Sequence, residues 1–208
     1  MHISEGVLSA PVLASGAALA AAGTAVGLKK LDYDQIANVG MLSAAFFVAA
    51  LIHVPIGPAS IHLVFNGLVG TLLGWAAFPA ILVALILQAM FFQFGGITTL
   101  GVNTIIMALP AVLGYYLFGR LIAIWPGKLS IAGFICGFTA VLLSALTLGT
   151  TLILTGESFS AIAKLVVLAN LPVMVIEGMV TAFCIGFLSK VRPEMLPFGT
   201  TRSKDKPT

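Results

Sequence analysis

Charge is what this sequence has least of. Only 8% of its 208 residues are Asp, Glu, Lys or Arg, against 60% hydrophobic. A water-soluble domain of this length carries about 25% charged residues to cover its surface, so a soluble fold is excluded. Cysteine is almost as scarce. Cys136 and Cys184 stand far apart inside apolar runs, which rules out a disulfide framework or a Cys-based metal or redox motif and leaves them as small hydrophobes. The apolar/polar alternation of a membrane barrel is missing too. So are a Gly-x4-Gly-Lys-Ser/Thr loop, a Gly-x-Ser-x-Gly elbow and a His-Glu-x-x-His pair. Those absences argue against a nucleotide hydrolase and an intramembrane hydrolase. The chain is not expected to be an enzyme, to have catalytic residues or to need an organic cofactor.

What remains is long apolar runs, and mean hydropathy is +1.13. A chain in lipid must satisfy its own backbone, so runs of this length read as spanning helices. They divide as Val7–Leu28, Ile36–His53, Ile61–Trp75, Pro79–Phe94, Asn103–Ile124, Leu129–Leu154 and Ala161–Leu188. Val54-Pro55-Ile56-Gly57-Pro58, Gly95-Gly96 and Trp125-Pro126-Gly127-Lys128 supply the breaks. The expectation is an all-α integral membrane protein of about seven transmembrane helices. Residues 1–189 form a single transmembrane metal-binding domain, and 190–208 form a loose cytoplasmic tail.

Basic residues orient the bundle. With the N-terminus outside, nine of the ten basic residues (Lys29, Lys30, Arg120, Lys128, Lys190, Arg192, Arg202, Lys204 and Lys206) lie on the cytoplasmic side, and only Lys164 does not. That is the positive-inside pattern. The pI near 9.0 therefore reports orientation in the bilayer, not an affinity for nucleic acid. A cleavable signal peptide would need a basic start, yet residues 1–10 carry Glu5 and no Lys or Arg. No cleavage is expected.

In this topology His2, His53 and His62 all fall at the outer face. His2 is informative because of its position. Histidine is too large a second residue for ready methionine removal, so Met1 should offer a free α-amine. That amine, the His2 amide nitrogen and the His2 imidazole can close a five- and a six-membered chelate ring. A fourth nitrogen would complete a plane suited to nickel(II) or copper(II), with cobalt(II) also accommodated. His62 is the best fourth ligand and His53 the reserve. Asn66, one turn below His62 on the same helix face, either supports the imidazole through a hydrogen bond or packs helices. Glu177, an acid within the last span, reads as an orienting or pairing group rather than a ligand. Ala14, Ala18 and Ala22, flanked by Ala17, Ala21 and Ala25, give the first span a small-residue face for close helix approach.

The opening Met1-His2-Ile3-Ser4-Glu5-Gly6 resembles the start of the CbiM/NikM family, the substrate-specific membrane subunits of energy-coupling-factor (ECF) transporters for nickel and cobalt. The likeness continues in Pro55-Ile56-Gly57-Pro58-Ala59-Ser60-Ile61-His62-Leu63, in the segment from Gln93 to Thr104 containing Gly95-Gly96-Ile97-Thr98-Thr99-Leu100-Gly101, and in Leu171-Pro172-Val173-Met174-Val175-Ile176-Glu177-Gly178. The resemblance implies that the N-terminus folds back into the bundle from outside. Met1, His2 and His62 would then hold Ni2+ or Co2+ as the transported substrate. His53 matches no family ligand, which leaves it as a supporting or interfacial group. Thr98, Thr99 and Asn103 lie in a segment that is either a lid or support for the site or an outer turn its glycines permit. By the same resemblance the partners are a coupling transmembrane subunit, two ATPase subunits and a small accessory membrane subunit, in the cytoplasmic membrane of a bacterium or archaeon. The first helix would dock a partner through small residues. The alternative is a stand-alone divalent metal permease driven by an ion gradient, which would require paired acids and histidines within spans.

Overall fold

The computed structural model describes residues 2–51, 53–56 and 59–198. Among the described residues eight α-helices carry the architecture: α1 (Ala10–Lys29), α2 (Ile36–Ala49), α3 (Asn66–Leu73), α4 (Ala77–Phe92), α5 (Leu100–Ile124), α6 (Leu129–Thr155), α7 (Ser160–Ala169) and α8 (Leu171–Val191). Among the described residues five segments are long and apolar enough to cross a membrane: α1, α3 with α4 (Asn66–Phe92), α5, α6, and α7 with α8 (Ser160–Val191). The chain is a multi-pass helical membrane protein. At 14 residues, α2 is shorter than the roughly 20 that span a bilayer upright.

One element departs from the all-α expectation. Between α2 and α3 the backbone forms an antiparallel hairpin, β1 (His53–Ile56) with β2 (Ala59–His62), in which His53 stands opposite His62. The ends assigned to the second and third spans, at His53 and Ile61, therefore belong to strands. Pro55 fits such a short two-stranded ribbon and would not fit a helix interior. His62 is thus on a strand, four residues ahead of a helix that begins at Asn66, and the two do not share a helix face.

Two further breaks divide what hydropathy reads as continuous. Gly74, in the left-handed region (φ 54°), lets the chain turn between α3 and α4. Asn170, before Leu171-Pro172, separates α7 from α8, and Pro172 falls in the first turn of α8, where proline is best accepted. After α8 the chain stays packed beyond the boundary expected at 189. Leu196 is buried with Phe118, Ala132 and Ile185, and the Phe198 ring lies 4.7 Å from that of Tyr115.

The core is a continuous apolar cluster reaching from Ile3 and Leu8 through Val64, Phe78, Ile81 and Ile106 to Leu148 and Met174. α3 sits against α6 with backbones nearly touching: a methyl group at Gly67 would come 2.6 Å from the Cα of Gly137. The alanine row at positions 14, 18 and 22 of α1 takes no part in this packing. The buried residues of α1 are Gly16, Ala20, Gly23 and Gly27, while Ala14, Ala18 and Ala22 face outward.

Candidate metal centre

The site is assembled from the N-terminal segment, the end of β2, the end of α4 and the loop leading into α5. The segment ahead of α1 runs back into the protein. His2 is 4% exposed and Ile3 is fully buried. A buried backbone must find partners, and Asn103 supplies them for Ile3. Its Oδ1 accepts the Ile3 N–H at 2.9 Å and its Nδ2 donates to the Ile3 carbonyl at 3.1 Å. Asn103 Nδ2 also reaches Thr99 Oγ1 at 3.2 Å. Two residues on, Glu5 donates its N–H to the Gly95 carbonyl (3.1 Å) and accepts the Thr98 N–H on its carboxylate (3.0 Å).

This clasp explains the paired glycines. Gly95 and Gly96 hold φ of 76° and 132°, which L side chains rarely adopt. A methyl group at Gly96 would lie 1.9 Å from Glu5 Cγ, and one at Gly95 would lie 2.7 Å from Asn103 Nδ2. The loop after α4 thus serves as a cradle for the N-terminal segment.

The clasp delivers His2 to His62. His62 Nε2 stands 3.2 Å from His2 Nδ1, and the two rings stack with centroids 4.7 Å apart. The other nitrogen of each ring is bound elsewhere. His62 Nδ1 donates to the Leu63 carbonyl at 2.7 Å. His2 Nε2 meets Gln88 Oε1 at 2.8 Å, and the Gln88 amide is turned so that its nitrogen donates to the Phe47 carbonyl at 3.3 Å. Carbonyl oxygens accept and do not donate, so the bound nitrogens carry the protons of neutral imidazoles. Burial reinforces neutrality at His62 by lowering its pKa to about 4, against a smaller raising effect of the Leu63 bond.

His2 Nδ1 and His62 Nε2 therefore face each other, and two imidazole nitrogens so placed can share a divalent cation. Imidazole nitrogens bind a divalent ion such as zinc at about 2.0–2.1 Å, so two on one ion lie about 2.8–3.4 Å apart for angles between a right angle and the tetrahedral one. The observed spacing falls in that range. Among the described residues no group of three or more His, Cys, Asp or Glu gathers here, so two imidazoles alone would leave an ion incompletely held.

The structure thus brings His2, His62, Thr98, Thr99 and Asn103 together. Asn66 is elsewhere: its amide donates to Ser144 Oγ (2.8 Å) and the Met107 carbonyl (3.2 Å), which ties α3 to α6 and α5. His53 is described by its backbone alone, and Met1 lies outside the described residues. Sequence reasoning passes over Glu5 and Gln88. Gln88 carried a signal, as the one polar residue in α4, Ala-Phe-Pro-Ala-Ile-Leu-Val-Ala-Leu-Ile-Leu-Gln-Ala-Met-Phe-Phe. Glu5 carried none, because its partner is 93 residues away.

A helical membrane protein with a buried, proton-fixed histidine pair defines a class, that of membrane proteins built around a metal-binding pocket. Comparison with known proteins narrows it. Residues 2–195 match the family described as CbiM, cobalt uptake substrate-specific transmembrane region. The chain is 39% identical to a putative metal transport protein of Haemophilus influenzae over 94% of its own length and 97% of the relative's. It is 32% identical to a putative fused nickel transport protein NikMN of Archaeoglobus fulgidus, covering 94% of this chain and 68% of that one. The crystal structure of a truncated transition metal transporter superposes with a TM-score of 0.82 at 26% identity, covering 92% of this chain and 99% of the other. The chain belongs to the CbiM family and is a metal-transport membrane component of the CbiM/NikM type.

Proposed function

We propose that this protein captures nickel(II) or cobalt(II) at the outer face of the membrane, as the substrate-binding subunit of an ATP-driven ECF importer. The observation that carries the reading is the approach of His2 Nδ1 to His62 Nε2 with both opposite nitrogens already committed. The two ligands still needed come from the Met1 amine and the His2 amide nitrogen: the amine closes a five-membered ring with the amide, and the amide a six-membered ring with His2 Nδ1. Thr98, Thr99 and Asn103 support the chelate by holding the segment that carries it, and His53 stands beside it in the hairpin. The cytoplasmic membrane of a bacterium or archaeon holds the chain through seven helical segments, N-terminus out and C-terminus in. Residues 1–189 act as one metal-binding domain, and the basic residues follow the positive-inside pattern.

ATP is hydrolysed by two partner subunits and transmitted by a coupling membrane subunit, with a small accessory membrane protein completing the complex. The outward Ala14, Ala18 and Ala22 of α1 support docking of such a partner by close helix approach. The permease alternative is less well supported. Glu177 is the one buried acid among the described residues, and it is bonded to backbone N–H groups rather than paired with a histidine.

Equilibrium binding to the purified chain tests the ligands. His2→Ala and His62→Ala should each abolish high-affinity nickel binding, whereas His53→Ala should be milder. A silent His62→Ala with a severe His53→Ala would reverse the assignment. Uptake into vesicles containing the partner subunits should require ATP; concentrative uptake by the chain alone on a proton gradient would favour the permease.

A further inference from the structure

Glu177 lies in α8 and is fully buried. An acid placed so deep in a membrane protein marks a function by default, and its bonds show which one. A single carboxyl oxygen, Oε1, accepts the backbone N–H of Val64 and, at 2.8 Å, that of Phe65. Those are the second and third residues after His62. Phe65 stands in the left-handed region (φ 55°), uncommon for a large side chain, and no side chain of its own caps the α3 helix it precedes. Two successive amides are thereby aimed at one oxygen from another helix. Immediately upstream, His62 Nδ1 is hinged on the Leu63 carbonyl, so the imidazole inherits its orientation from the 62–65 turn. The second carboxyl oxygen has no hydrogen-bond partner among the described residues. The group is therefore not spent on a wider polar network.

We propose that Glu177 is the positioning residue for the fourth ligand: its carboxyl group, reaching from α8, fixes the Val64–Phe65 turn and thereby aims the His62 imidazole at His2. This rests on His62 being a ligand, as proposed above. Glu177 does not touch the ion. It acts as outer-shell partners of metal ligands do, and their loss costs about 10–100-fold in metal affinity.

Copper(II) is a suitable probe, because an amine–amide–imidazole chelate still binds it measurably when His62 is gone. Titrated into the full chain in detergent, Glu177→Met should lower copper affinity about 10–100-fold and shift the visible absorption band toward that of His62→Ala. Glu177→Gln keeps an acceptor oxygen and should lose less. In a His62→Ala background neither substitution should change affinity or spectrum, since coupled residues show non-additive effects. Should Glu177→Met fail to fold, Glu177→Gln carries the test, with a smaller loss confined to protein that has His62. No loss, or an equal loss in both backgrounds, overturns the positioning role. If His62→Ala alone leaves binding and spectrum unchanged, the ligand assignment falls, and the positioning role falls with it.

Discussion

The two ends of the bundle use polar groups differently. At the histidine end, side chains bond backbone far away in sequence: Asn103 to Ile3, Glu5 to Thr98, Gln88 to Phe47 and Glu177 to Phe65. Three of these bonds fix residues outside the helices, and the Gln88 bond ties α4 to α2. At the opposite end the polar contacts are exposed and aromatic. Trp75 Nε1 donates to the Tyr116 hydroxyl at 2.8 Å, and the Lys30 ammonium lies 5.2 Å from the Trp75 ring. That is the character of a membrane–water interface, where aromatic rings and lysines sit at headgroup level. One end is organised to hold an irregular segment in one place; the other marks depth in the bilayer.

Substitutions that sharpen this contrast should be graded by end. Gln88→Met keeps the bulk but removes the oxygen that accepts the His2 Nε2–H bond and so holds the ring with Nδ1 turned toward His62. Nickel affinity should fall about 10–100-fold. Gln88→Glu, which still accepts from Nε2–H, should retain most of it, and equal losses in the two variants would mean that Gln88 only fills space. Gly96→Ala forces a side chain into a backbone region reserved for glycine and against Glu5. Strain of about 1–3 kcal/mol should loosen the clasp and cost about tenfold in affinity, read by the same titration. Tyr116→Phe at the far end should leave metal binding unchanged and lower unfolding stability by only about 0.5–1.5 kcal/mol. A large affinity loss there would erase the distinction between the ends.

Most of the helical architecture could be read from hydropathy, because lipid permits few alternatives to a helix. The hairpin could not. Short apolar stretches such as Val54–Ile56 and Ile61 have no period that separates strand from helix, and here they adjoin true spans. The break at Asn170 was readable from Leu171-Pro172, but an unbroken apolar run conceals it. At the site, His2 and His62 stood out as histidines in an apolar chain, and Asn103 through its glycine-rich neighbourhood. Asn66 misled because a four-residue spacing means one face only if both residues are helical, and His62 is not. Glu177 was conspicuous, but its partners are backbone N–H groups, which no side-chain pattern can reveal.

The central claim is that the chain's own first residues chelate the ion together with His62. Inserting one glutamine between Met1 and His2 tests it most directly. Histidine in third position lets amine, two amides and imidazole surround an ion without help, so the chelate no longer needs His62 and is no longer drawn into the bundle. Nickel or copper binding should survive, the visible spectrum should become insensitive to His62→Ala, and transport by the assembled complex should be lost. Normal transport by the insertion variant would contradict a role for the terminal amine and, with it, the four-nitrogen site.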